Sequence, residues 1–294
     1  TLGDAQYPPL LKQIPDPPPI LTYLGSPDTE SPCISVIGSR NATRYGLNTA
    51  RNISFRLSQR GLQVVSGMAR GIDTMAHQGA LDAGKKTVAV LGSGMNRIYP
   101  RENRFLFNDI ALKGTVFSEF KVDAEPVAAN FPVRNRIIAG LSCGTLVVEA
   151  AKKSGSLITA RLAGEYNREV FAVPGSITST RSQGTHQLLK QGARLVEDEM
   201  DIIDELGHFI HAVKQPEKHK KRNKQPDKFP ADRKAGKRQD LLDHIEPYPV
   251  HIDLIIQKSA MDSSRVASQL TSLELSGQVQ RHPGNYYSIS EGKN

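Results

Sequence analysis

Between Cys33 and about Leu206, short runs of β-branched and aliphatic residues alternate with stretches of helical periodicity, and this alternation leaves few folds open. The runs are Cys33–Ile37, Leu62–Ser66, Thr87–Leu91, Thr115–Ser118, Thr145–Val148, Val170–Val173 and Arg194–Val196. Between them lie Gly46–Arg60, Ile72–Ala83, Arg101–Leu112, Leu157–Tyr166 and Gln183–Gln191, each with a helical repeat. A strand that is apolar throughout, rather than at every second residue, must be covered on both faces, and helical crossovers supply the cover. The pattern predicts an α/β fold: a doubly wound, mostly parallel sheet of extended Rossmann-like type.

The flanks read differently. Residues 1–32 contain Pro8, Pro9, Pro15 and Pro17–Pro19 and are expected to form an irregular, proline-rich lead, since proline fits neither a sheet ladder nor a helix interior. The Rossmann-like domain is then expected over 33–210. Residues 211–238 are lysine-rich, include Pro216, Pro226 and Pro230 and lack periodicity, which predicts a basic flexible linker. In 239–294, Leu241–Ile245, Ile252–Lys258 and Ser263–Leu275 read as three short helices, the last with Asp262 as N-cap and Gly277 just past its end. Gln278–His282 and Tyr286–Ser290 flank a Pro283-Gly284-Asn285 turn. Three helices and a hairpin predict a small winged-helix domain.

Charge constrains function less than it first suggests. The chain carries a formal +8, yet Lys214–Arg238 alone holds 11 Lys/Arg against three acids, which accounts for the whole excess. The remaining residues hold 27 basic and 27 acidic side chains. Any nucleic-acid reading of the folded part must therefore rest on where individual arginines lie. No apolar run approaches the ~20 residues of a membrane span, and the first residues lack the pattern of a signal peptide. Cys33 and Cys143 stand alone in apolar text, which predicts two buried free thiols in a cytoplasmic protein.

In an open parallel sheet, ligands sit beyond the carboxyl ends of the strands, where tight turns and helix N-termini expose N–H groups. Four predicted strands end in Gly/Ser turns: Gly38-Ser39-Arg40, Ser66-Gly67-Met68-Ala69-Arg70-Gly71, Gly92-Ser93-Gly94 and Pro174-Gly175-Ser176. One such turn needs no more explanation than tight βα geometry; four on one edge point to an anion site. A dinucleotide fits poorly. No G-x-G-x-x-G follows the first strand, and the second ends in Ser66-Gly67 where a ribose-binding acid belongs. Gly79-x4-Gly84-Lys85-Lys86 lacks the hydroxyl residue of a P-loop and runs from helix to strand. No cofactor is expected.

A linear polyanion lying across several loops fits better. Its candidate contacts are Arg40, Arg44, Arg70, Arg97, Arg101 and Arg104, with the cluster Phe131-Pro132-Val133-Arg134-Asn135-Arg136. Arginine grips phosphate through a planar fork, and Phe131, in a loop before a helix, can stack a base or staple onto that helix. Arg134 and Arg136 at a helix start oppose its positive end. Either an external anion or an intramolecular carboxylate such as Glu119 or Glu149 must compensate.

These segments resemble the DNA-processing protein A (DprA/Smf) family. The likeness rests on Ile37-Gly38-Ser39-Arg40, Ser66–Asp73 with Ala76-His77, Ala89–Gly94 with Tyr99-Pro100, and Ser118-Glu119. It continues through Phe131–Leu141, Val148–Ala150, Ser154–Thr159 and Phe171–Gly175, running in order over roughly residues 5–206. The resemblance implies sequence-independent binding and protection of single-stranded DNA and loading of the recombinase RecA onto it during natural transformation. It also implies a homodimer, formed around His186–Val196. By the same resemblance, Arg40, Arg101 and Arg136 contact phosphates with Gly38 and Gly67, and Phe131 contacts a base. Some relatives carry a lysine three residues before that phenylalanine, where this chain has Ala128.

Catalytic groupings are sparse. Asp73 and His77 share a helical face, which also suits an N-terminal acid and a packed histidine. Gly144-Thr145-x3-Glu149 faintly resembles the loop of nucleoside-monophosphate phosphoribohydrolases, making an enzyme with Glu149 as acid/base the alternative. Against it, Leu141-Ser142-Cys143 replaces the Pro-Gly-Gly lead-in. No metal-ligand spacing and no nucleophile elbow occur. In the third helix of the small domain Arg265 is the one basic residue, so DNA reading and protein docking both stay open.

Overall fold

A computed structural model of the chain describes residues 1–207, 241–245, 250–259, 261–282 and 284–289, which fall into two compact units. The linker expected at 211–238 lies outside the described residues.

The first unit is built on an eight-stranded sheet of order β1-β5-β4-β3-β2-β6-β7-β8. Its strands are β1 (Thr22–Gly25), β2 (Cys33–Ile37), β3 (Gln63–Ser66), β4 (Thr87–Val90), β5 (Thr115–Ser118), β6 (Gly144–Val147), β7 (Glu169–Ala172) and β8 (Arg194–Leu195). Helices α1 (Arg44–Gln59), α2 (Ile72–Asp82), α3 (Arg104–Lys113), α4 (Asn130–Leu141), α5 (Ser156–Glu165), α6 (Gln183–Lys190) and α7 (Glu199–Glu205) connect and cover them. β2 through β6 are buried at every position, as two-sided cover requires. Two apolar clusters sandwich the sheet. One gathers Ile37, Val65, Val90, Ile137 and Val147, and the other Ile34, Val64, Ile72, Leu146 and Phe171. The strand order reverses between β2 and β6, so the crevice beyond their carboxyl ends is where such a sheet places a ligand.

Two local expectations are corrected. The lead is not irregular throughout: Thr22–Gly25 pairs antiparallel with β5 at the sheet edge, and Tyr7, Leu11, Ile14 and Leu21 are buried in the core. The prolines of this segment flank the edge strand rather than enter it, which an edge tolerates. Phe131 does not precede its helix either. α4 begins at Asn130, with Pro132 in its first turn, where a missing N–H is harmless.

In the second unit, a short 3-10 turn (Leu241–His244), α8 (Ile252–Ser259) and α9 (Ser263–Leu275) pack with a sheet of order β10-β11-β9. Its strands are β9 (Val250–His251), β10 (Val279–His282) and β11 (Tyr286–Ile289). Leu242, Ile255, Val266, Leu270, Val279 and Tyr287 form the core. The Asp262 side chain accepts from Ser264 N–H at 3.0 Å as the N-cap of α9, and Gly277 follows the helix at φ +71°. This is a winged-helix arrangement. Among the described residues no helix is long and apolar enough to cross a membrane.

Candidate nucleic-acid interface

The β3–α2 loop is fixed from within. The buried Asp73 carboxylate accepts from Gly67 N–H at 3.1 Å and Ala69 N–H at 3.4 Å, while Asn103 Nδ2 donates to Met68 O at 2.8 Å. Gly71 starts α2 at φ +74°, and a Cβ there would lie 2.3 Å from Ser39 O, so only glycine lets this loop clasp the β2–α1 turn. Ile72 N–H donates to that same Ser39 O at 3.2 Å, and Ser39 N–H donates to Glu149 O at 2.8 Å. The turn bearing Arg40 is thereby held between α2 and the end of β6.

A cleft of about 710 Å³ opens at this switch point. Gly38, Ser39, Arg40 and Asn41 line it from β2, Phe131, Arg134 and Asn135 from α4, and Lys153, Ser154, Gly155 and Ser156 from the β6–α5 loop, with Tyr99 at one side. Arg40 is exposed and has no acidic partner among the described residues; its guanidinium lies 5.2 Å from the centroid of the Phe131 ring. Tyr99 sits on the same ring at 5.6 Å between centroids. Phe131 itself rests on Gly92, where a Cβ would come within 2.7 Å of its Cδ1. A second hollow of about 170 Å³ is lined by Gly67, Arg70 and Pro100 as well as by Arg40, Tyr99 and Phe131.

The other arginines divide sharply. Arg134 is buried, donating to Gly67 O at 2.7 Å and to Val90 O, and burial draws its guanidinium down to about 10, opposed by Asp73. It lines the cleft, but its Nη1 is engaged with the backbone and its Nε donates to Asn135 Oδ1 at 3.3 Å. Arg136 points elsewhere, onto Glu119 and, at 3.3 Å, Asp16. The intramolecular carboxylate is the one found, and it removes Arg136 from the cleft wall. Burial raises the Glu119 carboxyl and Arg136 opposes the rise. Arg70 is paired with Glu102, and Arg97 with Glu125. Arg101 is exposed without an acidic partner among the described residues, but it borders neither hollow. Asn135 Nδ2 reaches Gly155 O at 3.4 Å, tying α4 to the β6–α5 loop.

Lys153 and Tyr99 are cleft residues that strand-end reasoning missed. Lys153 belongs to a loop without an apolar-to-glycine junction, and Tyr99 lies well past its strand. Ala128 lines the cleft too, so Lys153 is the one lysine on its wall.

The groups proposed for catalysis have structural partners. Glu149 is buried, its carboxylate accepting Thr43 N–H at 2.9 Å and the Thr43 hydroxyl at the N-terminus of α1, and it does not border the cleft. His77 is buried with Nδ1 2.8 Å from Thr87 Oγ1, whose own hydrogen goes to Val64 O. Nδ1 must therefore donate, leaving Nε2 unprotonated and without a partner.

Comparison with known proteins accords with this architecture. The sequence profile of DNA recombination-mediator protein A matches residues 1–207, and that of the DprA winged helix domain matches residues 225–285. Protein Smf of Escherichia coli strain K12 is 40% identical over 282 residues, 95% of this chain and 74% of that protein. DNA processing protein DprA of Streptococcus pneumoniae is 43% identical over 203 residues, 69% of this chain and 72% of that protein. The X-ray structure of the pneumococcal protein superposes with a TM-score of 0.67 at 42% identity, covering 69% of this chain and 71% of that one. A Helicobacter pylori DNA processing protein A, described for its single-stranded DNA binding mode, superposes at 0.63 and 30% identity, covering 69% and 93%. The profile spans the whole described α/β unit and a second one matches the module after it, so the chain belongs to the DNA recombination-mediator protein A family.

Proposed function

We propose that the switch-point cleft binds single-stranded DNA without regard to sequence, shielding it and presenting it to the recombinase RecA in natural transformation. The observation that carries this reading is Arg40: an exposed guanidinium with no acidic partner among the described residues, at the strand-order reversal, beside the half-buried Phe131 ring and the exposed Tyr99 ring. A phosphate there meets a charge-assisted fork, with Lys153 across the cleft as a second cation. Aromatic faces accept any base, hence the indifference to sequence. The activity proposed is binding in a cytoplasmic setting, and the phosphoribohydrolase alternative is disfavoured because Glu149 is held by Thr43 at the start of α1 and does not line the cleft.

Dimerisation is assigned to the region His186–Val196. β8 is the last strand of the sheet, Leu195 on it is 48% exposed, and an apolar hollow of about 480 Å³ opens between α5 and α6. Sedimentation showing only monomer would remove this assignment.

The test of the main reading is competition. A labelled oligothymidylate bound by the chain should be displaced by unlabelled single strands of any sequence far better than by duplex; equal competition by duplex refutes it. Arg40→Glu with Arg101→Glu should abolish the single-strand-selective binding and leave the thermal melt unchanged. The recombinase step is checked by RecA filament growth on coated single strands, which the chain should accelerate.

A further inference from the structure

Residues 150–164, which follow β6, and 170–196, which run from β7 to β8, carry six Lys/Arg and no Asp or Glu, although the chain outside Lys214–Arg238 is balanced in charge. Arg161 and Arg194 are paired, with Glu165 and Glu205, and Lys190 ends α6, away from the carboxyl ends of the strands. Lys152, Lys153 and Arg181 are exposed and have no acidic partner among the described residues. The backbone brings these three together. Ala150 N–H donates to Arg181 O at 2.8 Å, and Gly184 N–H donates to Ala150 O at 2.7 Å. A Cβ on Gly184 would lie 2.7 Å from Ala150 O, so glycine there lets α6 start this close to the β6–α5 loop. Beyond β2, β6 and β7, which are neighbours in the sheet, the cations follow one edge: Arg40, then Lys152 and Lys153, then Arg181. Strand spacing puts the ends of β2 and β7 about 10 Å apart. Lys153 lines the cleft, whereas Lys152, Arg181 and the Pro174-Gly175-Ser176 turn border neither hollow.

We propose that Lys152 and Arg181 form a phosphate platform outside the cleft, on which the sugar-phosphate backbone of a single strand continues after it leaves the Lys153 wall. The proposal rests on the single-strand reading of the cleft and deepens it by giving the strand a direction, from β2 across β6 toward β7. With no carboxylate paired to these cations, a phosphate that arrives breaks no ion pair and gains the release of its counterions. Phosphate contacts carry no sequence information, so the platform adds affinity with strand length and no preference among bases.

Full-length wild type and the double variant Lys152→Gln with Arg181→Gln are titrated with oligothymidylates of about 4 to about 16 nucleotides, the span of single-strand sites. Both chains keep Lys214–Arg238, so that segment contributes equally to both. The shortest strand, held in the cleft, should bind the two chains within about two-fold of each other. The longest should bind the variant about 25-fold more weakly at about 0.1 M salt, the counterion contribution of two phosphates, and its slope of log affinity against log salt should fall by about 1.4. Lys152→Arg with Arg181→Lys should keep the wild-type dependence on length. So should Lys85→Gln with Lys86→Gln, two exposed lysines just before β4, at the opposite ends of the strands. Equal loss on the shortest and longest strands, no loss on either, or the same loss from the Lys85 and Lys86 changes overturns the platform and leaves the cleft reading intact. Wild type that binds no oligothymidylate of any length overturns both. Should the double variant fail to fold, Lys152→Gln alone decides, with a loss of about 5-fold and a slope change of about 0.7 on the longest strand.

Discussion

At the scale of single residues, the cleft is defined by which arginines lack an internal partner. Arg40, Arg134 and Arg136 look alike in sequence, each polar beside glycine or aliphatic text. The fold separates them by bringing Glu119 onto Arg136 and the carbonyls of Gly67 and Val90 onto Arg134. Those partners stand 17, 67 and 44 residues away, at distances that strand order sets and local pattern does not carry. Arg40 was legible because its turn ends a strand; the burial of Arg134 was not. The contrast yields a prediction about stability. Arg134→Ala leaves two buried carbonyls without their donor and should lower unfolding free energy by at least roughly 1.5–3 kcal/mol, the worth of one hydrogen bond to a charged group. Arg40→Ala, exposed and unpaired, should change it by less than about 0.5 kcal/mol. Urea melts of the two variants check this, and a similar loss for both would mean that Arg40 also holds the fold.

At the scale of elements, the central strands match their apolar runs to within a residue or so, because two-sided burial writes itself into every position. β1 escaped because a four-residue edge strand with three exposed positions carries no such signature. The start of α4 is not legible at Phe131, because Pro132 suits a loop and the first turn of a helix equally. α2 carries the pH-sensitive element. Burial lowers His77 to about 3 from an ordinary 6.5, with the Arg134 charge adding to the fall. Between those values the unfolded chain holds a proton there that the folded chain does not. The contribution is complete above about pH 6.5 and is lost as pH falls toward 3, at no more than about 1.4 kcal/mol per pH unit. Asp73 works in the opposite sense, since burial raises its pKa and the folded chain takes up that proton earlier. The observable is therefore a difference. Wild type should lose more thermal stability than His77→Gln between pH 7 and pH 5, and parallel curves would place the histidine elsewhere than in a dry core.

At the scale of the whole molecule, the question is where the grip on DNA resides, because formal charge and architecture point to different places. All of the net positive charge falls within Lys214–Arg238, while the remaining residues are balanced. Bulk electrostatics would credit the lysine-rich segment; the cleft credits Arg40, Lys153 and two aromatic rings. The two accounts differ in salt. Each phosphate neutralised on a single strand adds about 0.7 to the slope of log affinity against log salt, whereas stacking adds nothing to it. Deleting Lys214–Arg238 from the full chain should therefore flatten the slope and cost affinity mainly at low salt, with the preference for single strands kept. Arg40→Glu with Arg101→Glu should remove that preference at every salt concentration, leaving only a weak, steeply salt-dependent attachment through the lysines. If the deletion instead abolishes single-strand preference and the double charge reversal spares it, the charge-balanced remainder is only a carrier for a basic segment, and the cleft at the strand-order reversal has another ligand.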